Sequence, residues 1–345
     1  MGETTVTRLE RMVGSPLSTD VGLEIGPRDA PLLHKPHHNV RYVDYAPTEI
    51  IKASQFDPSV KIENIVDVDI VWGDVRLRST VGEPVDYVVA SHVIEHVPDL
   101  IGWLIEIAEV LRPGGTLGLA IPDKRFTFDA LRQVSTLSQA VEAYLLRSKQ
   151  PSLRQVFDTA ALGVAIDLAE AWEGRLDPSA RRSEVLSRLQ PALQLATSLH
   201  ESPRYNDAHC WVFTPASFLD LVEEFATLGL FPFMIADLEP TRRGALEFLV
   251  RLERPGSASD DAIFMSIEMA RSRLASAPGV EAGREEAEKA EAERGKVERE
   301  HRTALEQARL EIHHLKTQIA ALEASTSWKI TAPLRKMGRV LRRKS

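Results

Sequence analysis

A glycine turn, two aspartates and a histidine-bearing loop are the residues whose types and spacing could do chemistry in this chain of 345 residues. Leu23-Glu24-Ile25-Gly26-Pro27-Arg28-Asp29 reads as a strand ending in a glycine turn, where the backbone can approach a ligand closely. Further along, Asp44 closes Arg41-Tyr42-Val43-Asp44. An acid at the end of a second strand can accept two hydrogen bonds from the vicinal hydroxyls of a ribose. Asp74, in Trp72-Gly73-Asp74, is placed to accept from the exocyclic amine of adenine, with Asp69 the alternative if the register shifts. Either Asp alone could be a solvated turn residue. In this order after a glycine turn, they point to a nucleoside.

The next stretch, Asp86-Tyr-Val-Val-Ala-Ser-His-Val-Ile-Glu-His96-Val-Pro-Asp, followed by Leu111-Arg-Pro-Gly-Gly115, extends the pattern. Its order and spacing resemble the class I methyltransferases that use S-adenosylmethionine, over roughly Val21–Asp129 and Ser217–Leu252. The resemblance implies that Glu24 and Gly26 hold the methionine part of S-adenosyl-L-methionine, Asp44 the ribose and Asp74 the adenine. It also implies that Ser91 and His92 line the methyl-transfer site. Pro27-Arg28 stand where the family carries small, glycine-rich residues.

Leu119-Ala-Ile-Pro-Asp123-Lys-Arg-Phe-Thr-Phe-Asp129 ends a fifth strand at the same edge. Asp123, Lys124 and Arg125 are too dense in charge to be buried unpaired. They read either as a mutual ion-pair cluster or as a wall for the acceptor, Asp123 being a candidate catalytic group. Arg204-Tyr-Asn-Asp207-Ala-His209-Cys-Trp-Val-Phe-Thr-Pro215 then joins a helical stretch to a later helix, a place from which a loop can cover a cofactor. Methyl transfer to an alcohol needs a base, and a histidine with a pKa of about 6.5 suits that role when a carboxylate orients it. His209 with Asp207 fits, the competing reading being a loop histidine that only hydrogen-bonds. His200, His209 and Cys210 have no recognised ligand spacing, so no metal is expected. His34, His37 and His38 precede a strand and read as solvated.

The elements that must position these residues alternate. Val21–Ile25, Val40–Asp44, Ile62–Gly73, Asp86–Ala90 and Thr116–Ile121 read as strands, with a helix-compatible run at Thr48–Ser54. Leu100, Leu104, Ile107, Ala108 and Leu111 mark a helix that Pro113-Gly114-Gly115 stops. Residues 133–201 are rich in Ala, Leu, Gln and Arg and read as a helical insertion. Ser217–Leu228 reads as a helix opened by Thr214-Pro215, and Phe231–Leu238 and Ala245–Leu252 read as two final strands. The expectation is an α/β domain over residues 21–254, with a doubly wound, mostly parallel seven-stranded sheet of Rossmann-like methyltransferase type.

Outside that domain, residues 1–20 read as a flexible lead-in and 255–279 as a linker and helix. Leu305, Ala308, Ile312, Leu315, Ile319 and Leu322 recur at spacings of three and four. That is the seam of a short coiled coil within residues 280–325, suited to a homo-oligomer. The tail at 326–345 carries seven Lys/Arg and no acid, so the net charge of −8 leaves −15 on the rest. An acidic body argues against nucleic acid as a partner, while a basic amphipathic tail suits an anionic membrane face or a protein partner. Within it, Thr326-Ser-Trp-Lys-Ile-Thr-Ala-Pro-Leu-Arg335 resembles a tail found on glycosyltransferases and sugar methyltransferases of bacterial surface-polysaccharide assembly. This implies a sugar or glycan acceptor. A scaffold that recruits such enzymes through its coiled coil and tail is the alternative.

Apolar residues at 43% and charged residues at 27% exclude a chain disordered throughout. The single cysteine, Cys210, forbids an internal disulfide. No apolar core of signal-peptide length opens the sequence, and no stretch approaches 18 uninterrupted apolar residues, so a cytoplasmic location is expected, peripheral to the membrane at most.

Overall fold

The computed structural model describes residues 7–276, apart from 17, 55–57, 59, 74, 178 and 257–259. All of these fall in the first of two units of the chain, Met1–Ala277. The expected coiled coil and basic tail, and Asp74, lie outside the described residues.

Seven strands form one sheet: β1 (Val21–Ile25), β2 (Asn39–Asp44), β3 (Ile70–Val71), β4 (Val85–Ser91), β5 (Leu111–Pro122), β6 (Met234–Glu239) and β7 (Glu247–Glu253). Their order is β3-β2-β1-β4-β5-β7-β6. The first five run parallel, and β7 lies antiparallel between β5 and β6. This is the expected Rossmann-like methyltransferase sheet. Because β1 is flanked by β2 on one side and β4 on the other, the strand order reverses there, and the carboxyl ends of these strands frame a crevice suited to a ligand.

Ten helices accompany the sheet among the described residues: α1 (Arg8–Val13), α2 (Thr48–Ala53), α3 (Leu77–Val81), α4 (Leu100–Val110), α5 (Leu137–Leu146), α6 (Leu153–Leu162), α7 (Leu168–Trp172), α8 (Arg182–Glu201), α9 (Pro215–Thr227) and α10 (Asp260–Ala275). The central strand β4 is a near-continuous apolar run, with Val85, Tyr87, Val88, Val89 and Ala90 all buried, as a parallel strand covered on both faces requires. On one face its neighbours include Leu104 and Ile107 of α4 and Phe218 and Phe225 of α9. On the other, Met12, Val13, Leu33 and Tyr42 close a smaller core. Thr214 and Ser217 form a reciprocal cap with Pro215 at the first turn, which fixes where α9 begins.

Three expectations are corrected. Residues 8–13 are not a frayed lead-in. Thr7 and Glu10 form a capping box on α1, and Arg8 and Arg11 pair with Glu247 and Glu239. Met12 and Val13 pack so closely on β5 that a Cβ on Gly118 would lie 2.7 Å from Val13. Residues 62–73 yield only the two-residue β3, and Ile62–Asn64 forms a 3₁₀ turn instead. Pro113-Gly114-Gly115 does not end α4, because Leu111 already pairs with Val85 as the start of β5.

The insertion is helical as expected. Its α5 joins the main core through Ala140 and Ala143, while α6 and α8 pack on each other around Val156 and Leu199. No helix among the described residues is long and apolar enough to cross a membrane.

Candidate active site

At the β1–β2 edge the sequence-identified residues come together. Gly26 has φ +62°, and a Cβ there would meet Val93 Cγ2 at 3.0 Å. A side chain would be strained in conformation and crowded at once. Glu24 is buried, and its two oxygens accept from Leu32 N (2.7 Å) and Leu33 N (2.9 Å), tying the segment after the turn back onto β1. Burial outweighs those bonds and raises its pKa to about 7. Asp44 ends β2, buried, with Oδ1 accepting from Tyr45 N at 2.8 Å. Burial raises its pKa to about 6 against the Tyr45 bond and the charge of Arg28. A carboxyl held this way is one that a bound polyol can satisfy. Asp69 is excluded as a substitute for Asp74. It precedes β3, accepts from Tyr42 N at 2.7 Å and pairs with Lys35, at the wrong end of the strand for the crevice.

Beyond β4 the chain makes a 3₁₀ turn, Ile94–His96. Ser91 accepts from Arg8 Nη2 at 2.9 Å, and His92 Nε2 lies 2.6 Å from Glu247 Oε2. Burial would raise the Glu247 pKa, but His92 and Arg8 outweigh it and hold it at about 2. His92 has φ +53° and Arg28 φ +49°. Two non-glycine residues in the left-handed region thus stand at the ends of β4 and β1, each at a conformational cost of about 1–2 kcal/mol.

Residues 203–213 run across this turn. Cys210 N and Trp211 N both donate to Glu95 O (2.6 and 3.1 Å), and Trp211 Nε1 donates to Val97 O at 2.6 Å. Burial pushes the Cys210 thiol up to about 12, which makes it an inert packing group. Tyr205 stacks on Tyr45 with ring centroids 5.9 Å apart, so the loop also reaches the residue next to Asp44.

The pairing expected within this loop is corrected. Asp207 does not orient His209; it sits 3.0 Å from His96 Nδ1. His209 Nδ1 lies 2.5 Å from Asp129 Oδ2, and Asp129 is further held by Arg132 Nη1 at 2.7 Å. Asp207 and His209 thus find partners on different segments, His96 after β4 and Asp129 after β5. Burial would raise the pKa of both acids, but their histidine partners (and Arg132 for Asp129) outweigh it and lower both. For His96, burial alone would lower the pKa, but Asp207 and Glu95 raise it. An ionised carboxylate only accepts, so each Nδ1 carries a proton toward its acid. The two rings meet edge to face, 4.7 Å between centroids.

Asp123 is corrected as a catalytic candidate. It is fully buried, bound by Arg125 Nη2 at 2.6 Å and by Thr241 Oγ1 at 2.7 Å, an anchor for the end of β5. Of that run the structure shows Asp123 paired with Arg125, while Lys124 Nζ donates to Ala130 O at 2.8 Å. Glu95, His96, Asp129, Arg132 and Glu247 belong to the site and were not singled out from sequence. The one available signal was the density of protonatable side chains in His92-Val-Ile-Glu95-His96.

A family model described as a methyltransferase domain matches residues 7–225. The chain belongs to that methyltransferase family. No curated protein matches the sequence. Among solved structures, the CurJ carbon methyltransferase is 13% identical over 70% of this chain and 50% of its own, with a TM-score of 0.33. This methyltransferase thus spans about half of that protein's length. A putative S-adenosylmethionine-dependent methyltransferase from Listeria monocytogenes is 11% identical, covering 68% of this chain and 91% of its own at a TM-score of 0.33. A structure titled StiE O-MT is 13% identical, covering 73% and 74%, at 0.31.

Proposed function

We propose that this methyltransferase methylates a sugar hydroxyl of a surface glycan, an O-antigen or exopolysaccharide, or its lipid-linked precursor. The observation that carries an oxygen acceptor is the pair of histidine–carboxylate couples at the β4 edge, His96 with Asp207 and His209 with Asp129. A hydroxyl becomes an adequate nucleophile only as its proton leaves, and imidazoles fixed in one tautomer suit that task.

S-adenosylmethionine supplies an electrophilic methyl group when bound. The Gly26 turn and Glu24, through the segment it fastens, would hold its methionine part. Asp44 would accept from the ribose hydroxyls, Asp74 from the adenine amine, and Ser91 and His92 would line the transfer site. Asp44 must be ionised to accept both ribose hydroxyls well, and the charge of Arg28 favours that form. Asp129 holds the ring of His209 in place, and His209 is the residue we assign to deprotonation of the acceptor. Orientation dominates such a transfer, because the protein forms no covalent bond with either substrate.

The glycan class is supported by the Thr326–Arg335 sequence. In this reading the Leu305–Leu322 seam makes a homo-oligomer, and the basic tail contacts the inner membrane face or a glycosyltransferase in the cytoplasm. Incubation with methyl-labelled S-adenosylmethionine and a glycan extracted from the source cells tests the acceptor. Label in a sugar methyl ether is the expected result, and label on carbon or nitrogen only would sink the reading.

A further inference from the structure

Glu95 presents an anomaly. Its side chain is almost entirely buried, and neither carboxylate oxygen has a hydrogen-bond partner. The nearest cationic candidates stand outside hydrogen-bond range, His92 Nδ1 at 3.6 Å and His96 Nε2 at 4.0 Å from Oε1. A buried carboxylate without partners is costly, and folded proteins retain one where something else satisfies it.

Around Glu95 the rings are prepared. His96 and His209 each give Nδ1 to a carboxylate, Asp207 and Asp129, leaving Nε2 to act as a lone-pair donor. One ligand atom each from Glu95, His96 and His209 lie within 4.8 Å of one another, close enough to converge on one ion. A histidine whose other nitrogen donates to an acid is the usual support of a metal ligand, fixing tautomer and orientation. His92 has the same construction with Glu247 behind it, and stands beside the group as a possible fourth donor.

We infer that Glu95, His96 and His209 hold a divalent transition-metal cation. Two imidazoles and one carboxylate suit Zn²⁺, Co²⁺ or Mn²⁺ and are poor for Mg²⁺ or Ca²⁺, which take oxygen ligands. Three protein ligands also leave a position open, as catalytic metal sites do. The inference deepens the proposed hydroxyl methylation. An acceptor hydroxyl in the open position gives up its proton to solvent more readily, because the cation stabilises the oxygen left behind. With an ion bound, Nε2 of His209 is a ligand and not a base, so His209 promotes loss of the acceptor's proton by holding the cation.

The test titrates the chelator-treated full chain with Co²⁺, followed by its visible absorption, and with Zn²⁺ by calorimetry. Neither acceptor nor S-adenosylmethionine is added, so failure of the glycan reading leaves this result standing, and the reverse. One equivalent of each ion should bind. Glu95→Gln should abolish saturable binding over the same range. Asp207→Asn keeps every ligand and alters a side chain that is 60% exposed, so it should fold normally and bind about 10–100-fold more weakly. Circular dichroism checks that both variants are folded. Absence of stoichiometric binding overturns the site, as does binding that folded Glu95→Gln and Asp207→Asn leave unchanged.

Discussion

The two halves of the crevice are built on different plans. At the β1–β2 edge, Glu24, Gly26 and Asp44 sit on strand ends within one short span of sequence, and backbone N–H groups are the hydrogen-bond donors to both acids. Burial dominates there, so both carboxyl pKa values are raised. At the β4 edge four distant segments meet, and every acid is hydrogen-bonded to a cation or an imidazole except Glu95. Partners dominate there, so the pKa values of Asp129, Asp207 and Glu247 are lowered. Acids that meet only backbone N–H groups keep raised pKa values, and in the proposed reading Asp44 takes the hydroxyl donors of a ribose. Acids paired to histidines set those rings for work on a proton or an ion.

Removing a ring from the second half while sparing the first gives the largest expected effect. His209→Ala should lower turnover by about 10²–10⁴ with S-adenosylmethionine affinity nearly unchanged. Loss of cofactor binding in that variant, measured by calorimetry, would merge the two halves into one and defeat the comparison.

The scaffold of the second half should be costly to cut. Arg132 is buried with Asp129 and also donates to His209 O at 2.8 Å. Arg132→Leu removes the cationic partner of a buried carboxylate, leaving it only His209, and should reduce unfolding free energy by about 3–5 kcal/mol in urea titrations. A loss below about 1 kcal/mol would place Arg132 among ordinary surface pairs.

In the first half, Asp44→Ala should weaken cofactor binding by about 1–3 kcal/mol. Its pKa of about 6 sets the sign of the pH effect. The ionised form is the better acceptor, so affinity should rise between about pH 5 and 7, and Asp44→Asn should flatten that rise. Without ligand the same shift opposes folding. A folded value above the unfolded value of about 3.9 means that stability from this group falls as pH climbs from about 4 through 6. An Asp44→Asn profile as steep as the parent's would assign the titration elsewhere.

The smallest effect concerns the turn. Gly26→Ala places a Cβ at φ +62° and 3.0 Å from Val93, and should cost about 1–2 kcal/mol of stability. A thermal melt at the parent's temperature would show that the turn relaxes and that glycine is there only for the ligand.

Much of the sheet was legible in the sequence because its strands are largely apolar runs bounded by turn residues, as in Val21–Ile25 and Val85–Ser91. The failures share a cause. Helix α1 is only six residues long, too short for its apolar spacing to stand out, and its place depends on Arg8 and Arg11 finding Glu247 and Glu239 far along the chain. Strand β3 is held by pairing with β2 and has little pattern of its own. In the same way Asp207 and His209 looked like a couple because they are neighbours in sequence, but each pairs with a distant segment, His96 and Asp129.

By itself, then, the sequence determined the order of strands and helices and the acids at the first two strand ends, since each depends on local pattern and on the switch point that pattern creates. Only the tertiary structure decided which acid faces which histidine. Asp129, Arg132, Asp207 and His209 are brought around Glu95 by residues 203–213 crossing the β4 turn, and no local propensity encodes that meeting. Couplings between distant segments are set by packing and backbone hydrogen bonds such as those from Cys210 and Trp211 to Glu95 O, which exist only once the sheet is formed.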